Sequence, residues 1–270
     1  MFTILKEHRH NGKQIFILAK NELVKTYLGS LLGPVWAILK PLVTLFIFWF
    51  AFDIGIRNNG IITGPNGMKY ASFIFMLPGF IAWFYINDIV MNGARSIRRN
   101  SQFVTKISFP VSTIMTFTSL SKLFVHLVLV VLMYIFLLCS GYGPSIYNIQ
   151  FLYYCPMMFL FFLVLSWSTA PMSAFSKDFE NLVNTIMGAA FWMSGIVYSS
   201  YAMPHPILNK LMLLNPINYF VNGYRKAFIY DMWFFVDYKE TIVFLIELLA
   251  LILLGAFNYN RLRKKLPDVL

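Results

Sequence analysis

Lys122 and His126 stand four residues apart inside one apolar run, so on a helix they share a face. An ammonium and an imidazole there would either pair with a carboxylate on a neighbouring span or border a water-filled path. Asp88 and Glu247 also lie deep in apolar runs. An ionisable group at such depth is a functional candidate because lipid solvates charge poorly. Lys40 and Asp53 fall near opposite ends of their run, where snorkelling to the nearer interface accounts for both. The aromatic residues include Trp83, Phe84 and Tyr85 and a second group from Phe151 to Tyr154. Interfacial belts account for most rings in such a chain. Rings turned into a pore would instead offer flat apolar faces to sugars while Asn, Ser and Tyr groups bond the hydroxyls.

Other chemistries find no foothold. No Gly-rich loop ending in Gly-Lys-Ser/Thr occurs, so the chain is not expected to hydrolyse ATP itself. His8, His10, His126 and His205 are too scattered for a metal site, and no Ser, His and Asp set stands out. Cys139 and Cys155 read as inert packing residues.

These residues must be placed by membrane helices. The chain is 59% hydrophobic and 12% charged, and its apolar stretches run to about 20 residues, the length that crosses a ~30 Å hydrocarbon layer. We read an all-α integral membrane protein forming one transmembrane domain over 1–270, with six transmembrane helices at about 34–56, 71–94, 110–140, 147–174, 179–200 and 240–259. Residues 1–31 read as an interfacial amphipathic helix. Gly29, Gly33 and Pro34 then allow a sharp turn into the first span. The segment 201–239 is too apolar for a solvated loop, yet Pro204, Pro206 and Pro216 forbid one helix. Short re-entrant helices resolve that conflict if they lie against protein or a wet cavity.

The net charge of +11 sits beside spans, which argues for cytoplasmic flanks and contact with anionic membrane lipids rather than for nucleic acid. The connector 95–109, with Arg95, Arg98, Arg99 and Lys106 and no acid, falls on the cytoplasmic side together with both termini. It is also a place for a soluble partner to grip.

Several segments resemble permeases of ABC transporters that export lipid-linked polysaccharides. Leu32, Gly33, Trp36 and Pro41 resemble the opening of span one in that family. Asn100, Phe103, Val104, Lys106, Phe109 and Pro110 resemble its connector signature, and Asn215, Pro216, Tyr224 and Arg225 its outer gate. The layout is most similar to a teichoic acid translocation permease, with capsule and O-antigen permeases close behind. One departure is Lys177 before Asp178, where many relatives carry Arg; Lys keeps the charge but loses the planar fork.

The resemblance implies the transport subunit of a bacterial cytoplasmic-membrane exporter: a second copy of itself, two separate ABC ATPase subunits that hold ATP and Mg, and no cofactor on this chain. Arg98, Arg99, Asn100, Phe103, Lys106, Phe109, Pro110, Lys177 and Asp178 would meet the ATPase. Trp83, Phe84, Tyr85, Lys122 and His126 would line a channel. Lys20, Lys25 and Arg95 would attract the diphosphate joining lipid to polymer. The expected cargo is wall teichoic acid, with O-antigen, capsule polysaccharide or a drug or lipid as alternatives. A membrane-embedded glycosyl or acyl transferase is the rival from another class.

Overall fold

The computed structural model describes residues 2–56, 60–106 and 109–270. Positions 107 and 108 of the basic connector, and the side chain of His10, lie outside the described residues. The chain is built on helices α1 (Phe2–Tyr27), α2 (Trp36–Trp49), α3 (Ser72–Arg99), α4 (Gln102–Thr105), α5 (Val111–Cys139), α6 (Phe151–Phe175), α7 (Lys177–Trp192), α8 (Pro206–Leu213), α9 (Pro216–Arg225) and α10 (Tyr238–Leu262).

Five helical stretches among the described residues are long and apolar enough to cross a membrane: 33–55, 72–99, 111–139, 146–175 and 238–268. This is a multi-pass, all-α membrane protein. The span expected at 179–200 differs. There α7 has 16 residues, about 24 Å at 1.5 Å per residue, and 193–199 leave the helix. Gly195 adopts φ +61° at that break, a left-handed conformation that glycine enters without steric cost.

Helix α3 is the axis of the bundle, with 78% of its apolar stretch buried against 6% for α2. It packs on α5, α6 and α9. Glycines permit the closest approaches: a methyl at Gly93 would stand 3.0 Å from the Ser166 side chain, and one at Gly223 would enter the Tyr154 ring. A second apolar cluster joins Ile4, Ile15 and Ala19 of α1 to Ile97, Met115, Trp167, Tyr259 and Leu266. Helix α1 therefore packs against the ends of other helices from Ile4 onward. The turn after it uses Gly29 at φ +81° and Gly33 at φ +51°, as the sequence predicts.

Glu7 fastens both ends of the chain to one end of the bundle, receiving bonds from Tyr259 (3.0 Å), Arg263 (3.0 Å) and the Ser112 hydroxyl. We call this the basic end. The opposite end carries a hairpin that the sequence did not announce, β1 (Ile61–Thr63) against β2 (Lys69–Ala71), with Ile62 opposite Tyr70. Asn66 donates to the Tyr230 carbonyl at 2.9 Å and the Tyr70 hydroxyl donates to that of Ile229 at 2.9 Å, so the hairpin is pinned to the chain just past α9.

Candidate functional site

Between the end of α1 and the faces of α2, α3 and α5 lies a cavity of ≈ 760 Å³. Helical spacing explains its walls. On α5, Lys122, Val125, His126 and Leu129 recur at the three- and four-residue steps of one face, and on α2 Trp36, Lys40 and Thr44 do the same. All five residues expected to line a channel, Trp83, Phe84, Tyr85, Lys122 and His126, border this one space. So do Lys40 and Asp88, together with Tyr27 and Ser30 from the α1–α2 turn. Lys122 is 7% exposed, yet its ammonium makes no ion pair or hydrogen bond among the described residues. No hydrogen bond or contact ion pair joins it to Asp88 among the described residues, although the Asp88 carboxylate lies near enough to attract it.

His126 lines the cavity and also reaches α9. Its Nε2 lies 2.6 Å from the Tyr224 hydroxyl of α9, and its ring sits 4.7 Å from that of Tyr85. Every residue from Ile217 to Tyr230 is buried against the rest of the protein, whereas Ile207, Leu211, Leu214, Phe235 and Val236 of the segment expected to be re-entrant are exposed. Asn215 caps α9 by accepting from Ile217 N at 2.9 Å, and Pro216 occupies the first helical position, where a missing N–H costs nothing.

Asn215 and Arg225 also solve the problem created by the break after α7. Carbonyls leaving a helix inside a membrane need donors. Asn215 donates to Met193 O at 2.8 Å. Arg225 donates to Gly195 O (2.8 Å), Ile196 O (2.6 Å) and Phe75 O (3.0 Å), with its guanidinium 3.7 Å from the Phe75 ring. Gly79 leaves the room this requires, since a methyl there would meet the guanidinium at 3.0 Å. Burial lowers the Arg225 pKa to about 10, which leaves it charged at neutral pH.

The sequence reading passed over Lys226. It is 1% exposed and bonds Asp237 at 2.6 Å and Glu240 at 3.1 Å, with Tyr201 donating to Asp237 at 3.3 Å. Two acids three residues apart at the start of an apolar run, downstream of a lysine in an apolar segment, were the available signal.

At the basic end the connector cations are held within the chain. Arg95 pairs with Glu180 at 2.5 Å. Arg98 donates to the Ser173 carbonyl and lies 3.9 Å from Glu180, and Arg99 pairs with the buried Glu22 of α1. Asn100 is buried and donates to Ser96 O at 3.0 Å. Phe103 stacks obliquely on Phe109 at 5.5 Å, and the Pro110 carbonyl accepts from Thr113 N at the start of α5. Lys106, Lys177 and Asp178 are exposed, with Asp178 in the first turn of α7, where the helix dipole favours an acid. Lys20 and Lys25 are exposed on α1; neither they nor Arg95 line the cavity, and the structure does not bring the three together. No cluster of three metal-ligating side chains occurs among the described residues.

A family model described as ABC-2 type transporter matches residues 13–229. The chain is 23% identical over 229 residues to the O-antigen export system permease protein RfbA of Myxococcus xanthus, covering 84% of this chain and 85% of that one. It is 22% identical over 259 residues to a protein of the same name from Klebsiella pneumoniae, covering 95% and 94%.

Proposed function

We propose that this chain, which belongs to the ABC-2 type transporter family, is the membrane subunit of an exporter that carries a lipid-diphosphate-linked polysaccharide across the bacterial cytoplasmic membrane. Membership makes it a transport subunit rather than an enzyme, and its working partner an ABC ATPase. The names of its relatives support an O-antigen polymer over the wall teichoic acid that the layout suggested. Two copies of the chain would enclose the path, with the basic end and both termini facing the cytoplasm.

One observation carries the reading. A cavity bordered by Trp83, Phe84 and Tyr85 also holds Lys40, Lys122 and Asp88, which make no contact ion pair among the described residues, and we take the bond from its lining residue His126 to Tyr224 of α9 as the closed end of the path. Aromatic faces and uncommitted polar groups suit sugars and their anionic linker. In the mechanism, ATP-driven closure of the ATPase pushes on α4 and the exposed Lys106. The ties from Arg98 to Ser173 and from Arg99 to Glu22 pass that push to α6 and α1, and the cavity opens past Tyr224.

The test is ATP hydrolysis by the purified complex with its ATPase, with and without a lipid-diphosphate-linked polysaccharide. Stimulation by that lipid supports the reading. A stable complex indifferent to every lipid-linked polysaccharide, wall teichoic acid included, would overturn it.

A further inference from the structure

Lys122 presents an unusual situation. Its side chain is nine-tenths buried, it borders the cavity, and no hydrogen bond or contact ion pair reaches it among the described residues. It lies about 16 Å along α5 from Val111 at 1.5 Å per residue, near the middle of that helix. An ammonium at that depth in a low-dielectric surrounding is costly unless an anion or water reaches it.

Lys40 borders the same cavity from α2 and is likewise without a side-chain partner among the described residues. The one acid that lines the space, Asp88, balances only one of the two cations. The set is therefore left with a net positive charge. Tyr27 and Ser30 add hydroxyl groups to the cavity's lining. Two ammonium groups from different helices lining one cavity that also has hydroxyls in its wall have the chemistry of an anion site of the kind that phosphate oxygens fill.

We infer that Lys40 and Lys122 bind the diphosphate of a polyprenyl-type lipid within this cavity, which places the linker deep in the membrane between α2 and α5 instead of at Lys20, Lys25 and Arg95. This rests on the proposed transport of a lipid-diphosphate-linked cargo. The depth argues for the source. Ordinary phospholipid headgroups stay at the interface, whereas a transported lipid must draw its phosphates inward past Ser30 and Tyr27. With the diphosphate between the lysines, the first sugar lies toward Trp83 and His126, along the path that ends at Tyr224.

The experiment uses the intact permease–ATPase complex in nanodiscs. Binding is measured for a glycan-free polyprenyl diphosphate, for phosphatidylglycerol and for inorganic pyrophosphate. The variants are Lys40→Gln with Lys122→Met, which removes both charges while the Met keeps the buried stem packed, and Lys40→Arg with Lys122→Arg, which keeps them. The expected result is tight binding of the polyprenyl diphosphate alone, weakened at least ten-fold by charge removal and largely retained with arginine. Equal binding of phosphatidylglycerol would reduce the site to a general anionic-lipid patch, and equal binding of pyrophosphate would remove the lipid from its specificity. Either outcome, or binding indifferent to charge removal, overturns the inference. Because the probe carries no glycan, this result is separate from polymer-stimulated ATP hydrolysis. Stimulation with lysine-independent binding sinks the site alone, and lysine-dependent binding without stimulation sinks the cargo alone.

Discussion

The Tyr224 hydroxyl meets His126 Nε2 at 2.6 Å, so a hydrogen bond joins the face of α5 that lines the cavity to the buried helix α9. Its neighbour Arg225 holds the broken backbone after α7. Adjacent positions on α9 thus serve two separate contacts. Movement of α9 would disturb the cavity's closed end and the Met193–Ile196 turn together.

Tyr224→Phe removes the bond but keeps the ring packing on Phe151 and Phe228. We expect a stability loss of about 1 kcal/mol, the net value of one such bond, with a rise in ATP hydrolysis in the absence of substrate because the closed end is held less firmly. Thermal unfolding and basal hydrolysis of the purified complex check both parts. An unchanged basal rate would separate this bond from gating.

Arg225→Ala leaves several carbonyls without donors in a buried setting, each costing about 1–3 kcal/mol. The expected result is a loss on the order of 3 kcal/mol or more, seen as a lower unfolding midpoint or poor recovery of protein. Arg225→Lys should rescue little, because one ammonium cannot span Phe75, Gly195 and Ile196 as the planar fork does. With a pKa near 10, this contribution should not vary between pH 6 and 8.

Lys226→Met strands Asp237 and Glu240 without their cation. Removing one member of a buried ionic group costs more than removing all of it. Hydrogen exchange across 226–240 should therefore rise in the single variant. It should fall back toward the parent in the combined Lys226→Met, Asp237→Asn, Glu240→Gln variant. Equal protection in both would show that the group contributes nothing to the order of that segment.

Charge reversal of the connector should divide by contact. Arg99→Glu confronts Glu22, and Arg98→Glu confronts Glu180, so both variants should lose stability as well as ATPase capture. Lys106→Glu alters an exposed side chain and should weaken capture at unchanged unfolding temperature. Pull-down with the ATPase alongside thermal unfolding distinguishes the two patterns.

Much of this architecture was legible because its signals are local. Run length marked the long helices, and the four-residue step placed Lys122 and His126 on one face. Proline spacing broke 201–239 into short helices. The end of α7 was not legible, because the mostly apolar stretch 186–198 runs through the break without a proline and the donors that satisfy it, Asn215 and Arg225, come from a later segment. Lys40 is exposed, as a snorkelling residue would be, and it borders the cavity because α2 lies against α3 and α5, a placement that its position near a span end did not reveal. Lys20, Lys25 and Arg95 stood equally close to span ends, and only the fold showed that Arg95 is spent on Glu180 while the lysines face outward. Strands of three residues, as in 61–71, fall below what alternation can reveal.

The most direct test of the account places a photoreactive amino acid at position 126 in the permease–ATPase complex and supplies radiolabelled lipid-linked polysaccharide. During ATP turnover, the account predicts capture of the labelled polymer at this position, lost when ATP is withheld. Polymer transport with no capture at 126, while a position on the lipid-facing side of α10 such as Leu249 does capture it, would contradict a path through the cavity beneath Tyr224.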